Sequence, residues 1–170
     1  HIASHTGDLI GFAPRAGKEI KSRTKVFTEG NLLYGRLRPN LNKVFVADGV
    51  LRDGICSGEF YVLIPDTGKV LSRVLRSILA SPFVRDHIAR FVSGAALPRV
   101  PISDLLNVLI PLPPMDHQQQ MRDFIGKRDK TRIALQRRLE DLPRDTEGAL
   151  VECIKKGSVA QLSAKTLVSV

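Results

Sequence analysis

Prolines at 111, 113 and 114 are followed by "MDHQQQMRDFIGKRDKTRIALQRRLEDL", 28 residues that contain no further proline. No other feature restricts the fold of this chain as much. Proline lacks the N–H that a helix or an inner strand requires, so regular hydrogen bonding is interrupted up to position 114. Beyond it nothing interrupts a helix until Pro143. A helix of that length extends roughly 40 Å, more than a small domain spans with its own core. Met121, Ile125, Arg128, Arg132, Leu135, Leu139 and Leu142 follow heptad spacing, and all but the two arginines are apolar. Such a stripe predicts a partner helix, with Met121, Ile125, Leu135, Leu139 and Leu142 as the dimerisation contacts. The alternative is a surface helix whose stripe lies on its own core.

The part before the prolines reads as a mixed domain. "KVFTEGNLLYGRL" contains two apolar segments around a Glu-Gly turn signal. "NKVFVAD" and "GICSGEFYVLIPD" follow, rich in the β-branched and aromatic residues that suit a pleated surface. Leu71, Val74, Leu75, Ile78 and Leu79 then fall at helical spacing. Pro82 fits the first turn of a second helix that carries Phe83, Val84, Ile88 and Phe91. Ser103 and Asp104 mark a further helix start, and 108–112 reads as a last strand confined by its prolines to an edge or exit. After Pro143, "DTEGALVECIKK" suits another short helix. The expected organisation is a domain over 1–114, a helical spacer or dimerisation region over 115–157, and a tail over 158–170.

The charge balance narrows the function. Lys and Arg number 26 against 17 Asp and Glu, a formal +9 with a pI near 10.0. An excess of that size favours polyanions, nucleic acid or an acidic membrane face. No run approaches the roughly 20 apolar residues that cross a bilayer. Cys56 and Cys153 are far apart, and the four histidines are scattered. Neither set has metal-ligand or disulfide-framework spacing, which predicts a reducing, cytoplasmic setting and no metal. A chain that begins at His1 reads as an excised piece or the remnant of a tag.

Donors cluster in "NLLYGRLRPNLNKVF", which otherwise reads as a strand, a turn and a second strand. Arg36 and Arg38 alternate along what reads as a strand and are expected on one face, with Asn40, Asn42 and Lys43 just beyond. Guanidinium forks bridge phosphate oxygens or the guanine edge, and Asn pairs with adenine. Arg99 in "SGAALPRVP" adds a donor, and Lys18, Lys21, Arg23 and Lys25 form a basic arm suited to phosphate. "GICSGEFYV" is expected to place Glu59 in the middle of an apolar strand. An internal pair with an arginine suits it better than a base contact, since lone buried carboxylates are costly. For catalysis, only Asp8 with Glu19 and Lys21 approaches a metal-dependent nuclease pattern, and that chemistry needs the groups on adjacent strands. A basic protein-interaction module is the remaining alternative.

Three motifs in order resemble the target recognition domain of type I restriction-modification specificity subunits. Leu37, Arg38, Pro39 and Lys43 match its Leu-Arg-Pro-x-x-x-Lys segment. Ser93, Gly94, Pro98 and Arg99 match its Ser-Gly…Pro-Arg loop, and 110–114 with Gln118 match its Ile-Pro-Leu-Pro-Pro-x-x-x-Gln exit. The resemblance covers 28–142. Asn31 stands where the family usually has Asp, residues 1–25 match poorly, and Pro143 interrupts the helix early. The resemblance implies an α+β fold: a twisted, partly antiparallel sheet flanked by helices, followed by a long protruding spacer helix. It also implies a non-catalytic, cofactor-free subunit that reads one half of a split site in double-stranded DNA. Its long helix would dock methyltransferase subunits of a complex that also holds restriction subunits. This chain has one such domain and one helix, as expected of a dimerising half-subunit or of a piece of a longer subunit. The DNA contacts expected are Lys21, Arg23, Lys25, Arg36, Arg38, Asn40, Asn42, Lys43, Ser93 and Arg99. Motif residues are shared by domains with different targets, so target choice is expected in stretches such as 10–25 and 47–54.

Overall fold

The computed structural model describes residues 1–141 except 13, 15, 50 and 95. Leu142, Pro143 and the short helix expected after it lie outside the described residues. Five strands are present: β1 (Thr24–Phe27), β2 (Leu32–Gly35), β3 (Val44–Val46), β4 (Gly54–Ser57) and β5 (Phe60–Leu63). Four α-helices follow: α1 (Ser72–Leu79), α2 (Pro82–Ile88), α3 (Ile102–Leu106) and α4 (Met115–Asp141). The class is α+β, as expected. The strands form two sheets rather than one, β3-β2-β5 and β1-β4, and every strand pairing among the described residues is antiparallel.

β2 is central, and both of its faces are covered. Leu32 and Tyr34 pack with Val44, Val46 and Tyr61 against Val74, Ile78 and Leu79 of α1 and Val84 and Ile88 of α2. Leu33, pointing the other way as strand alternation requires, joins Phe27, Phe45 and Ala47, with Cys56, Phe60 and Val62 around them. Burial on two sides explains why "LLY" reads as a continuous apolar run. Truncating Leu32 or Val74, both fully buried, would cost about 2–5 kcal/mol.

Two expectations change, and the Glu-Gly turn between β1 and β2, present as expected, joins strands that do not pair. Asn31 is buried and its Oδ1 accepts the Thr28 N–H at 3.0 Å, while β1 pairs with β4, from Thr24 opposite Ser57 to Phe27 opposite Gly54. The stretch 108–112 is not a strand, because its prolines remove ladder donors. Glu59 is not inside a strand either; with Gly58 it forms the turn between β4 and β5. Pro82 does occupy the first turn of α2, capped by Ser81, whose Oγ accepts the Val84 N–H.

By its contacts the chain divides into His1–Gly126 and Lys127–Val170, not at the expected boundary of 114. The first turns of α4 belong to the first unit because Gln118 and Ile125 are buried there. The Gln118 amide donates to Lys69 O at 2.9 Å and Pro113 O at 2.8 Å and accepts the Leu71 N–H at 2.9 Å. One side chain thus satisfies three backbone groups between β5 and the start of α4.

Candidate nucleic-acid interface

The chain leaves β2 at Gly35 and runs between two other segments. The Arg36 N–H donates to Glu59 O at 2.9 Å, the Val100 N–H to Arg36 O at 3.1 Å, and the Arg38 N–H to Pro98 O at 2.7 Å. Leu37 lies opposite Arg99 in a bridge. The Leu-Arg-Pro and Pro-Arg motifs, some sixty residues apart in the chain, are therefore hydrogen-bonded neighbours. The 93–99 loop is closed at its base by Ser93 and Arg99, which exchange backbone hydrogen bonds of 3.2 and 2.9 Å. Gly94 within it has φ +97°, a conformation that side chains disfavour.

Glu59 is the centre of this junction. Arg99 donates to it from Nη2 (2.7 Å to Oε1) and from Nε (3.1 Å to Oε2), and Arg36 Nε lies 3.8 Å from Oε2. The Tyr61 ring carries two cations, Lys25 Nζ at 5.1 Å and the Arg36 guanidinium at 5.3 Å from its centroid. Lys25 Nζ also donates to Phe60 O at 2.7 Å, and Tyr61 Oη to Val100 O at 3.0 Å. The Arg99 hydrogen bond holds the Glu59 carboxyl below the ordinary carboxylate range; burial opposes this, and the charges of Arg99, Arg36 and Lys25 reinforce it. The same pairing raises Arg99. Three cations around one carboxylate leave the cluster positive. The internal pairing expected of Glu59 is present.

The expected donors separate into engaged and free groups. Lys25, Arg36 and Arg99 are held by the Glu59 cluster. Asn42 is buried and its Nδ2 donates to Ala80 O at 2.6 Å, so its side chain serves the interior. Arg36 and Arg38 do not alternate on a strand. Arg38 adopts the left-handed region (φ 49°) at the head of a 3-10 turn, Pro39–Leu41, and Asn42 does so at its end (φ 50°). Two reversals in five residues turn Arg38 and Asn40 outward, and both are exposed. Arg38, Asn40, Lys43, Lys18, Lys21 and Arg23 make no side-chain hydrogen bond or ion pair among the described residues, and Ser93 is exposed.

The hydrolytic arrangement is not assembled. Asp8 lies beside the isolated Ile2–Leu9 bridge and Glu19 in the 3-10 turn Gly17–Glu19, neither on a strand next to the other. Of the expected dimerisation contacts, Ile125 is buried in the first unit, which removes it from any helix–helix seam. Met121, Leu135 and Leu139 are 38%, 55% and 69% exposed. Sequence reasoning missed the Tyr61 platform and the anchoring role of Gln118. An aromatic in an apolar strand and a glutamine at a helix start give no local signal of either role.

A solved chain reported under the structural basis of complex assembly and conformational transition of the type I R-M system superposes with a TM-score of 0.72. It is 23% identical and covers 96% of this chain and 43% of that one. The chain has the fold of part of a type I R-M system chain. The HsdS subunit from Thermoanaerobacter tengcongensis superposes on this chain with a TM-score of 0.68, at 23% identity and the same coverage. In sequence, the domain is 30% identical over 122 residues to the type I restriction enzyme EcoDI specificity subunit of Escherichia coli. That alignment takes in 71% of this chain but 26% of the relative. No protein-family model matches the chain. The resemblance carried by the three motifs is borne out.

Proposed function

We propose that this specificity-subunit domain recognises one half of a split target in double-stranded DNA for a type I restriction-modification system, without catalysing a reaction itself. The observation that carries the reading is the set of free donors, Arg38, Asn40 and Lys43, on a base braced by the Glu59–Arg99–Arg36 cluster. Free cations on a preorganised base bind an anion without first breaking internal pairs or ordering their backbone. Arg38 and Lys43 grip phosphate, Asn40 reaches a base edge or sugar, and Lys21, Arg23 and Ser93 extend the contact. Lys25, Arg36 and Arg99 contribute mainly field and scaffold.

The partners follow from the same reading: methyltransferase subunits docked on α4, restriction subunits in the larger complex, and a second specificity domain or a second copy of this chain. The assembly would act in the cytoplasm. Among the described residues no helix is long and apolar enough to cross a membrane. The test is equilibrium binding of the 170-residue chain to duplex DNA across a salt series. Affinity should fall with salt along a log–log slope set by the phosphates contacted. Weak binding with no slope would instead support the protein-interaction reading.

A further inference from the structure

The ribbon β1-β4 has an inner face that belongs to the second core and an outer face that packs on nothing described. Phe27 and Cys56 point inward. Strand alternation puts Thr24 and Val26 together on the other face, and the register sets them opposite Ser57 and Ile55. All four are exposed, with Val26 at 73% and Ile55 at 46%. This face therefore presents one hydroxyl pair and one apolar pair in adjacent cross-strand positions. Ile55 and Ser57 also help line, with Phe12 and the inner-face residues Phe27 and Cys56, a cavity of about 190 Å³.

The surroundings indicate what would lie there. The ladder extends one step beyond Thr24, where Gly58 N–H donates to Arg23 O at 3.1 Å. Arg23 is thereby fixed at the hydroxyl end, with Lys21 and Lys18 just before it, all without an ion pair among the described residues. At the apolar end Arg52 is paired with Glu29 at 3.5 Å. An uncovered face with free cations at one end is complementary to an anionic partner. The ribbon also joins the ends of the two stretches, 10–25 and 47–54, that lie outside the shared motifs.

We infer that the outer face of the β1-β4 ribbon enters the DNA major groove, with Val26 and Ile55 against a thymine methyl and Thr24 and Ser57 bonded to the neighbouring base edges. This rests on the DNA-recognition reading above. A two-stranded ribbon fits the width of the major groove, apolar side chains there select thymine through its methyl, and hydroxyls donate to or accept from base edges. Arg23 and Lys21 would hold the flanking phosphates and set register. Target choice would then reside in the ribbon, and general grip in Arg38 and Lys43.

The test is selection of bound duplexes from a pool randomised over about one helical turn, using the 170-residue chain and its V26A/I55A and T24V/S57A variants. Wild type should select a site with a fixed A·T pair. V26A/I55A should lose that preference, and T24V/S57A should lose the preference at the adjoining pair. Both should keep the wild-type salt slope, since that reports phosphate contacts made elsewhere. Replacing the selected thymine by uracil removes one methyl and should weaken wild type roughly fourfold, with little effect on V26A/I55A. Variants that select the wild-type site, together with indifference to uracil, would overturn the inference while leaving DNA recognition standing. Unchanged selection with an altered sedimentation mass would do the same and mark the face as a protein contact. If wild type selects no sequence at all, the DNA reading fails and takes this inference with it.

Discussion

Arg99 grips Glu59 through two guanidinium nitrogens, with Nη2 2.7 Å from Oε1 and Nε 3.1 Å from Oε2, although forty residues separate them in the chain. Neither side chain is deeply buried, but each completes a junction of three segments. Glu59 is the turn between β4 and β5, and Arg99 closes the 93–99 loop. The planar fork makes the pair directional as well as attractive.

The pair predicts a pH dependence. Glu59 is held below the ordinary carboxylate range when folded, so its contribution to stability is complete above that range. It is lost as pH falls through the depressed value. Wild type should melt above E59Q at neutral pH, and the gap should close as pH falls through the depressed Glu59 value, where the carboxyl becomes as neutral as the glutamine amide. A gap that persists unchanged in acid would mean that the carboxylate charge is not what braces the junction. E59Q also removes a negative charge among three cations, so its affinity for duplex DNA should rise while its stability falls.

R38A/K43A should weaken binding to all duplexes by a similar factor and reduce the log–log salt slope by roughly two, one for each phosphate that is no longer gripped. Melting should scarcely move, because neither side chain has a hydrogen-bond or ion-pair partner among the described residues. Unaltered binding in low salt would remove this edge from the DNA interface.

Asn42 and Gln118 should behave in the opposite way. N42A removes the bond to Ala80 O and places alanine in a left-handed conformation, for a cost of about 2 kcal/mol. Q118A leaves three backbone groups without their partner and should cost about 3 kcal/mol. Chemical denaturation measures both. The fraction that remains folded should bind DNA as wild type does; selective loss of DNA affinity in stable N42A would show that Asn42 contacts the nucleic acid.

L135D/L139D tests the second copy. If α4 pairs with another helix, charges on this exposed stripe should convert dimers to monomers in sedimentation, with little change in the melting of the first unit. A wild-type chain that stays monomeric at high concentration would exclude self-association through this stripe. I125D should instead destabilise the domain, because Ile125 is an interior residue.

Much of the architecture was legible because it depends on local spacing. The helical periods in α1 and α2, Pro82 at a helix start and the length of α4 all follow from side-chain pattern and backbone chemistry within a few residues. The hairpin of β2 and β3 was legible for the same reason, with Tyr34 opposite Val44 across the turn. The failures occurred where a partner distant in the chain outweighed the local signal. The Glu-Gly turn after β1 is present as read, yet nothing local shows that β1 pairs with β4. Asn42 resembles its neighbour Asn40, yet one is buried and the other is free.

Sequence alone determined that this chain is basic and mixed α and β with a long helix, because composition, periodicity and proline placement act locally, and it carried three motifs that resemble those of specificity subunits. Only the tertiary structure decided which cations are engaged by Glu59, which remain free, and that residues 24–27 and 54–57 form one exposed ribbon. Those outcomes depend on contacts between segments about twenty to sixty-five residues apart, and loop closure over such distances leaves no trace in local pattern.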